Sequence, residues 1–311
     1  MPGDSYTDDL LPLTQAQIDL RDSLKTDVVM LAEEIGPRGV LQSNNLATAA
    51  HYIEQSLEAA GYEVKRQCFD VDGVNCCNLE VEILGQTRPN EIIVVGGHYD
   101  SVLDRLNCPG ANDNASGTAA TLAIAREFVN RKPQRTVRFV FFVNEEPPYF
   151  QLQQEKMGSW VYAQRCKKRE ENIVAMFSLE TIGYYSDEAN SQAYPFPLGL
   201  VYPSTGNFIT FVGNVGSRQL VRESISSFRK HTKFPSEGGA LPGYLPGVGW
   251  SDHWSFWKAG YQGVMVTDTA PFRYPHYHKL TDTPDKLDYD RMAVVVEGLT
   301  QVVSDLANPD E

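Results

Sequence analysis

Ile92-Ile93-Val94-Val95-Gly96-Gly97-His98-Tyr99-Asp100, followed after a short loop by Gly110-Ala111-Asn112-Asp113-Asn114-Ala115-Ser116-Gly117, is the stretch on which the fold turns. Four consecutive apolar β-formers suit a strand covered on both faces. That strand runs straight into a histidine. A loop containing Pro109 and Gly110 follows, then an aspartate, then a helix starting near Ser116. Strand, ligand-type residue, loop, second ligand-type residue, helix is how an open α/β sheet builds a site beyond its strand ends.

The same layout recurs downstream. Val137-Arg138-Phe139-Val140-Phe141-Phe142-Val143 reads as a buried strand running into Asn144-Glu145-Glu146. Ile173-Val174-Ala175-Met176-Phe177 reads as another, delivering Glu180 just before Gly183. Val264-Met265-Val266 is the last strand, and the loop 268–288 after it carries His276 and His278. Upstream, Leu79, Val81 and Ile83 alternate with polar residues, as in a half-buried strand. A further strand is expected over 208–212, and a long Gly- and Pro-rich loop over 235–249.

Helices fill the intervals. Thr14 and Gln17 form a capping-box signature, and Leu20, Leu24, Val28, Leu31 and Ile35 then share one helical face until Gly36-Pro37. Leu46, Ala50, Ile53 and Leu57 predict a second helix closed by Gly61. Further helices are expected over 116–130, 158–166, 217–230, 252–259 and 289–306. Strands alternating with helices imply an α/β fold with a largely parallel central sheet. No linker or repeat interrupts the pattern. The expected organisation is a flexible acidic segment over 1–12 and one domain over 13–308.

Composition narrows the function. Hydrophobic residues make up 42% and charged residues 22%, ordinary for a soluble globular chain. The net charge of −13 argues against a nucleic-acid or anionic-membrane surface. No apolar run approaches the roughly 20 residues needed to span a bilayer. Met1 to Asp9 has neither a basic stretch nor an apolar core. The expectation is therefore a cytoplasmic protein, or a secreted or periplasmic one whose leader has been trimmed. Cys68, Cys76, Cys77, Cys108 and Cys166 form an odd set without C-x-x-C spacing, which leaves room for one disulfide but suggests no framework. The sequence leaves any redox role of Cys76, Cys77 or Cys108 open, and does not fix the oligomeric state.

Histidines and carboxylates without thiolates suit Zn²⁺, with Mn²⁺ or Co²⁺ as substitutes. His98, Asp113, Glu146, Glu180 and a histidine after Val266 are too many ligands for one tetrahedral ion. They fit two metals bridged by a carboxylate, roughly 3.5–4 Å apart. At Glu145-Glu146, neighbouring side chains in extended chain point opposite ways. One can bind metal while the other faces the attacking water. A solvated acidic pair is the bland alternative, and the buried run before it argues against that.

Taken in order, these motifs resemble the di-zinc leucine aminopeptidase family, which includes bacterial zinc aminopeptidases and has glutamate carboxypeptidase II, the glutaminyl cyclases and the transferrin receptor as relatives. The carrying segments are Gly97-His98-Tyr99-Asp100-Ser101, Gly110 to Gly117, Asn144-Glu145-Glu146, Ser178-Leu179-Glu180-Thr181-Ile182-Gly183-Tyr184, Ser251-Asp252-His253 and Tyr277 to Asp285. The resemblance spans about residues 40–300. It implies a three-layer zinc-exopeptidase-like sandwich holding two Zn²⁺ ions, with Asp113 bridging, His98 and Glu180 completing one site, and Glu146 and His278 the other. It implies Glu145 as general base, Tyr277 as oxyanion donor and Asp100 as the group orienting His98. The implied substrates are peptides with a free N-terminus. A one-zinc glutaminyl-cyclase-like acyltransferase and an inactive binding module are the alternatives.

Several residues stand apart. Glu180 occupies a position where the best-known family members carry aspartate. Residues 147–157 form an insertion that either lines the entrance or is a plain solvent loop. His278 is preferred over His276 by its spacing to Asp282-Thr283-Pro284. His253 reads as a pocket-wall or structural histidine rather than a ligand, Arg273 as the partner of a surface ion pair in preference to a substrate contact in the mouth of the site, and Cys108 as no ligand.

Overall fold

The computed structural model describes residues 1–102, 107–150 and 152–309. The strands are β1 Lys65–Val71, β2 Val74–Ile83, β3 Arg88–His98, β4 Arg135–Phe142, β5 Asn172–Leu179, β6 Ile209–Asn214, β7 Ser236–Leu241 and β8 Val264–Thr267. They form one sheet in the order β1-β2-β4-β3-β5-β8-β6-β7. β4, β3, β5 and β8 run parallel at its centre. β2 pairs antiparallel with both β1 and β4, β6 antiparallel with β8, and β7 parallel with β6. The sheet is therefore mixed, with a parallel middle.

The helices are α1 Gln15–Val29, α2 Ser43–Ala60, α3 Gly117–Phe128, α4 Gly158–Lys168, α5 Arg218–His231, α6 His253–Ala259, α7 Ala270–Arg273 and α8 Tyr289–Ala307. The Thr14 capping box is present: Gln17 N–H donates to Thr14 Oγ1 and Thr14 N–H to Gln17 Oε1. The helical path beyond α1 continues as a π-type turn over Met30–Ile35 and ends at Gly36, whose φ of 81° suits glycine.

Alternation along β3 sorts the layers. Ile93 and Val95 join the core that includes Leu24, Ile53, Leu122, Phe228 and Val295, from α1, α2, α3, α5 and α8. Ile92 and Val94 instead pack with Tyr162 and Ala163 of α4 and Phe256 of α6. Helices thus cover both faces, which is why the strand reads as an unbroken apolar run.

Two strands escaped the sequence reading. The segment 235–249, expected as loop, contains β7. β1 pairs with β2 through Asp72-Gly73, with Cys68 opposite Cys77 in the register and disulfide-bonded to it. Cys76, Cys108 and Cys166 are free and buried. At the N-terminus, Arg229 donates to the carbonyls of Pro2 and Gly3, and Ser236 N–H donates to Ser5 Oγ. No helix among the described residues is long and apolar enough to cross a membrane.

Strand order places the site. From β3 the chain crosses to β4 on one side, then returns so that β5 lies on the other. β3 is a point where the strand order reverses, where crevices open at the carboxyl ends of an α/β sheet. His98 is the last residue of β3.

Candidate metal centre

The parallel strands β3, β4, β5 and β8 present their carboxyl ends at one sheet edge, and each releases part of one side-chain cluster. His98, Asp113 and Glu180 each offer a ligand atom within 4.8 Å of the others, and so do Asp113, Glu146 and His278. Asp113 belongs to both groups. Its Oδ1 lies 3.3 Å from His98 Nε2, and its Oδ2 lies 3.1 Å from His278 Nε2. Glu180 Oε2 is 3.1 Å from His98 Nε2, and Glu146 Oε2 is 3.2 Å from His278 Nε2. Glu145 Oε2 lies 3.9 Å from His98 Nε2. The five residues read as ligands are thus brought together at the carboxyl ends of four strands and in the loops that follow them.

The cluster carries more buried negative charge than it can settle internally. Asp113, Glu145, Glu146 and Glu180 are all buried. Burial, reinforced by Asp113, pushes Glu146 and Glu180 each up to about 7. Burial also drives Glu145 well above the usual carboxylate range, with Glu180 and Glu146 adding to it. Burial disfavours a charged imidazole at His278, yet Glu146 and Asp113 outweigh it and raise the group to about 11. Asp113 Oδ1, Glu146 Oε1 and His278 Nε2 are buried without a hydrogen-bond partner. Orphaned atoms of this kind, all of them metal-ligand types facing one space, fit divalent cations. Excess buried carboxylate is costly unless positive charge compensates it.

The surrounding main chain holds this geometry. Asp100 lies 3.4 Å from His98 Nδ1 through Oδ1, and its own carbonyl is 3.2 Å from the same nitrogen. Its two carboxylate oxygens also accept the N–H groups of Glu145 and Glu146. Glu180 Oε2 accepts from Ser251 Oγ at 2.9 Å and Asn114 Nδ2 at 3.3 Å. Leu179 O accepts from Asn114 Nδ2, and a Cβ at Gly117 would stand 2.0 Å from that same oxygen, one at Gly97 3.0 Å away. Asn144, Thr181 and His278 adopt positive φ of 59°, 42° and 55°, conformations that non-glycine residues hold only where their surroundings enforce them.

Residues 78–303 match peptidase family M28. The chain belongs to that family. Among curated relatives of this M28 chain is the uncharacterized protein YfbL of Escherichia coli, 34% identical over 89% of this chain and 86% of that protein. A probable zinc metalloprotease of Pyricularia oryzae is 30% identical over 76% of this chain and 50% of its own length. The M28 chain therefore spans most of the bacterial relative and about half of the fungal one. Among solved structures, the zinc aminopeptidase BSAP of Bacillus subtilis superposes with a TM-score of 0.73 at 15% identity, covering 97% of this chain and 98% of that one. A glutaminyl cyclase of Fimbriiglobus ruber gives 0.68 at 22%, covering 96% and 97%. Both share the fold.

Other expected residues of the M28 chain fall as follows. Tyr277 stacks its ring on His278, with centroids 3.9 Å apart. It also lines a neighbouring apolar cleft together with Glu180. His276 lies outside the cluster, its Nδ1 2.8 Å from Thr281 Oγ1. His253 is fully buried, with Nε2 donating to Val248 O at 2.9 Å. Cys108 Sγ donates to Lys279 O. Within the 147–157 insertion, Phe150 packs on Trp254 of α6, and none of the described insertion residues lines the cleft. Gln151 lies outside the described residues.

Arg273 is a correction. Expected in a surface ion pair, it is buried, and donates to Gln192 Oε1 at 2.7 Å and to Phe208 O at 2.8 Å. Its guanidinium also lies over the Phe208 ring.

Supporting residues went unread. Asp282 Oδ1 accepts from Asn112 N–H and Tyr274 OH, and its Oδ2 from Asp113 N–H. Asp268 accepts from Asn112 Nδ2, Thr181 Oγ1 and Tyr184 N–H. Arg38, fully buried, donates to the carbonyls of Leu31, Gly36, Tyr99, Pro109 and Gly110. Asp282 stood within a quoted motif; Arg38 has carbonyl partners, which leave no mark in a sequence.

Proposed function

We propose that this M28 chain is a zinc-dependent aminopeptidase that hydrolyses N-terminal peptide bonds. The observation carrying the reading is the pair of three-residue ligand groups sharing Asp113, with its orphaned buried atoms. His98 and Glu180 would hold one Zn²⁺ and Glu146 and His278 the other, with Asp113 common to both ligand groups. When bound, the ions supply Lewis acidity to the scissile carbonyl and to the attacking water.

The chain's own groups do the rest. Glu145 takes the proton from the attacking water and passes it to the leaving amine nitrogen. Tyr277, over the cleft and against His278, donates its hydroxyl to the oxyanion as charge develops there. Asp100 fixes the His98 ring, and through the Glu145 and Glu146 N–H groups it fixes the base as well. A carboxylate oxygen of the cluster left free of metal would accept a substrate's ammonium end, which favours amino- over carboxypeptidase action.

The test pairs metal analysis with turnover. Zinc content near two per chain and release of leucine from a Leu-anilide are the expected results. Glu145→Gln should lower kcat about 10²- to 10⁴-fold while the zinc stays bound. One zinc per chain with cyclisation of N-terminal Gln peptides would assign the chain to the cyclase reaction instead. A zinc-loaded protein inert in both assays would leave a binding module.

A further inference from the structure

Beside the metal centre, an open cleft runs across the sheet face. Leu179 on β5 pairs with Val266 on β8, so Glu180 lies level with Thr267. Thr267 pairs with Thr210 on β6, and Thr210 with Glu237 on β7. Glu180, Thr267, Thr210 and Glu237 all line the cleft and therefore form a single row on one face. Three strand spacings separate its ends, on the order of 14 Å. One end is the metal centre and the other is a carboxylate.

Between those ends the walls are apolar. Val212 and Met265 lie in the next row, Tyr194 and Tyr202 stand near Glu237, and Phe208 also lines the cleft. Yet Glu237, half-buried among these rings, has no hydrogen-bond or ion-pair partner among the described residues. Burial pushes its carboxyl up from the ordinary value. Two cations act on it, the Arg229 guanidinium and the α-ammonium of Met1. That guanidinium is spent on Ser236 Oγ and on the carbonyls of Ser236, Pro2 and Gly3. Thr210 Oγ1 is likewise buried without a partner.

An anionic group at the far end of an aromatic-walled cleft is built to receive a cation carried on a long apolar stem. We propose that the cleft is the side-chain subsite for a cationic N-terminal residue, arginine or lysine, whose charged end pairs with Glu237. A substrate whose α-amino group and scissile carbonyl sit at the metal centre would lay its side chain along Thr267 and Thr210. A leucine side chain stops short of Glu237; the stems of arginine and lysine extend towards it. A guanidinium there also stacks on the Tyr194 and Tyr202 rings, themselves stacked at 5.8 Å. The inference rests on the aminopeptidase reading for the direction in which substrate lies.

The experiment measures kcat/KM of the zinc-loaded protein for Arg-, Lys-, Leu- and Glu-anilides. The Arg-to-Leu ratio should exceed about tenfold and shrink as ionic strength rises. Glu237→Gln should lower that ratio about tenfold or more, and Glu237→Lys should raise the Glu-anilide relative to the Arg-anilide. A merely structural role for Glu237 would move all substrates together, and a ratio insensitive to both salt and Glu237→Gln overturns the proposal. Calorimetry with free L-arginine and L-leucine separates the two readings. If no anilide turns over but arginine binds wild type at least tenfold tighter than Glu237→Gln, the hydrolase reading falls and the subsite stands. Equal binding of arginine to both proteins removes the subsite whatever the turnover.

Discussion

The Asp282 carboxylate accepts the main-chain N–H of Asp113 at 3.1 Å, so the residue shared by both ligand groups is held from behind by a second aspartate. Asp282 is buried, and that burial raises its carboxyl to about 7, opposed by the Asn112 and Asp113 N–H groups. Asp282→Asn puts an NH₂ group where an acceptor is needed. Zinc affinity should fall about 10- to 100-fold, the usual effect of losing a group that orients a ligand. Competition with a chromophoric chelator measures it; affinity within twofold of wild type would show that Asp113 holds its position unaided.

Arg38 ties the turn at Gly36 to Tyr99, Pro109 and Gly110, and among the described residues the hydrogen-bond partners of its guanidinium are all carbonyls. Lysine keeps the charge but cannot reach several carbonyls in different directions at once. Arg38→Lys should cost about 3 kcal/mol or more in urea unfolding, because buried carbonyls lose charged donors. It should also speed zinc loss, since Pro109 and Gly110 lead into Asp113. An unfolding midpoint equal to wild type would contradict this.

His253 gives a pH signature away from the ligands. Burial lowers its imidazole from 6.5 to about 4, with the Val248 carbonyl opposing the shift. The folded state therefore holds His253 neutral down to a lower pH than the unfolded chain does. Its contribution is complete above pH 6.5 and is lost as pH falls towards 4, an amount of about 3 kcal/mol over that gap. Urea unfolding of the zinc-loaded protein at pH 7, 5.5 and 4.5 should show wild type losing more stability than His253→Leu. Parallel curves would mean the imidazole titrates alike in both states.

Much of this molecule could be read from residue order, for a physical reason. Strands buried on both faces are largely apolar, so a ligand-type residue just beyond such a run stands out: His98 after Ile92 to Val95, Glu145 after Val137 to Val143, and Glu180 after Ile173 to Phe177. β7 does not stand out, because Ser236-Glu237-Gly238-Gly239 has neither apolar run nor alternation and becomes strand only by pairing with β6. β1 was legible in principle, since Asp72-Gly73 between two alternating segments is a hairpin signal. Arg273 misled because charge suggests solvent, whereas its partners are a glutamine and carbonyl oxygens. Partners of that kind are set by tertiary packing, beyond the reach of spacing.

The carbonyl of Leu179 is the common datum for three loops: it sits just before Glu180, takes the Asn114 amide next to Asp113, and lies 3.0 Å from where a Cβ at Gly97, just before His98, would stand. The loops that carry the cluster are therefore tied to one another by main-chain and amide contacts. Any drift of one loop is handed on to the others, so neither half of the pair can be retuned in isolation.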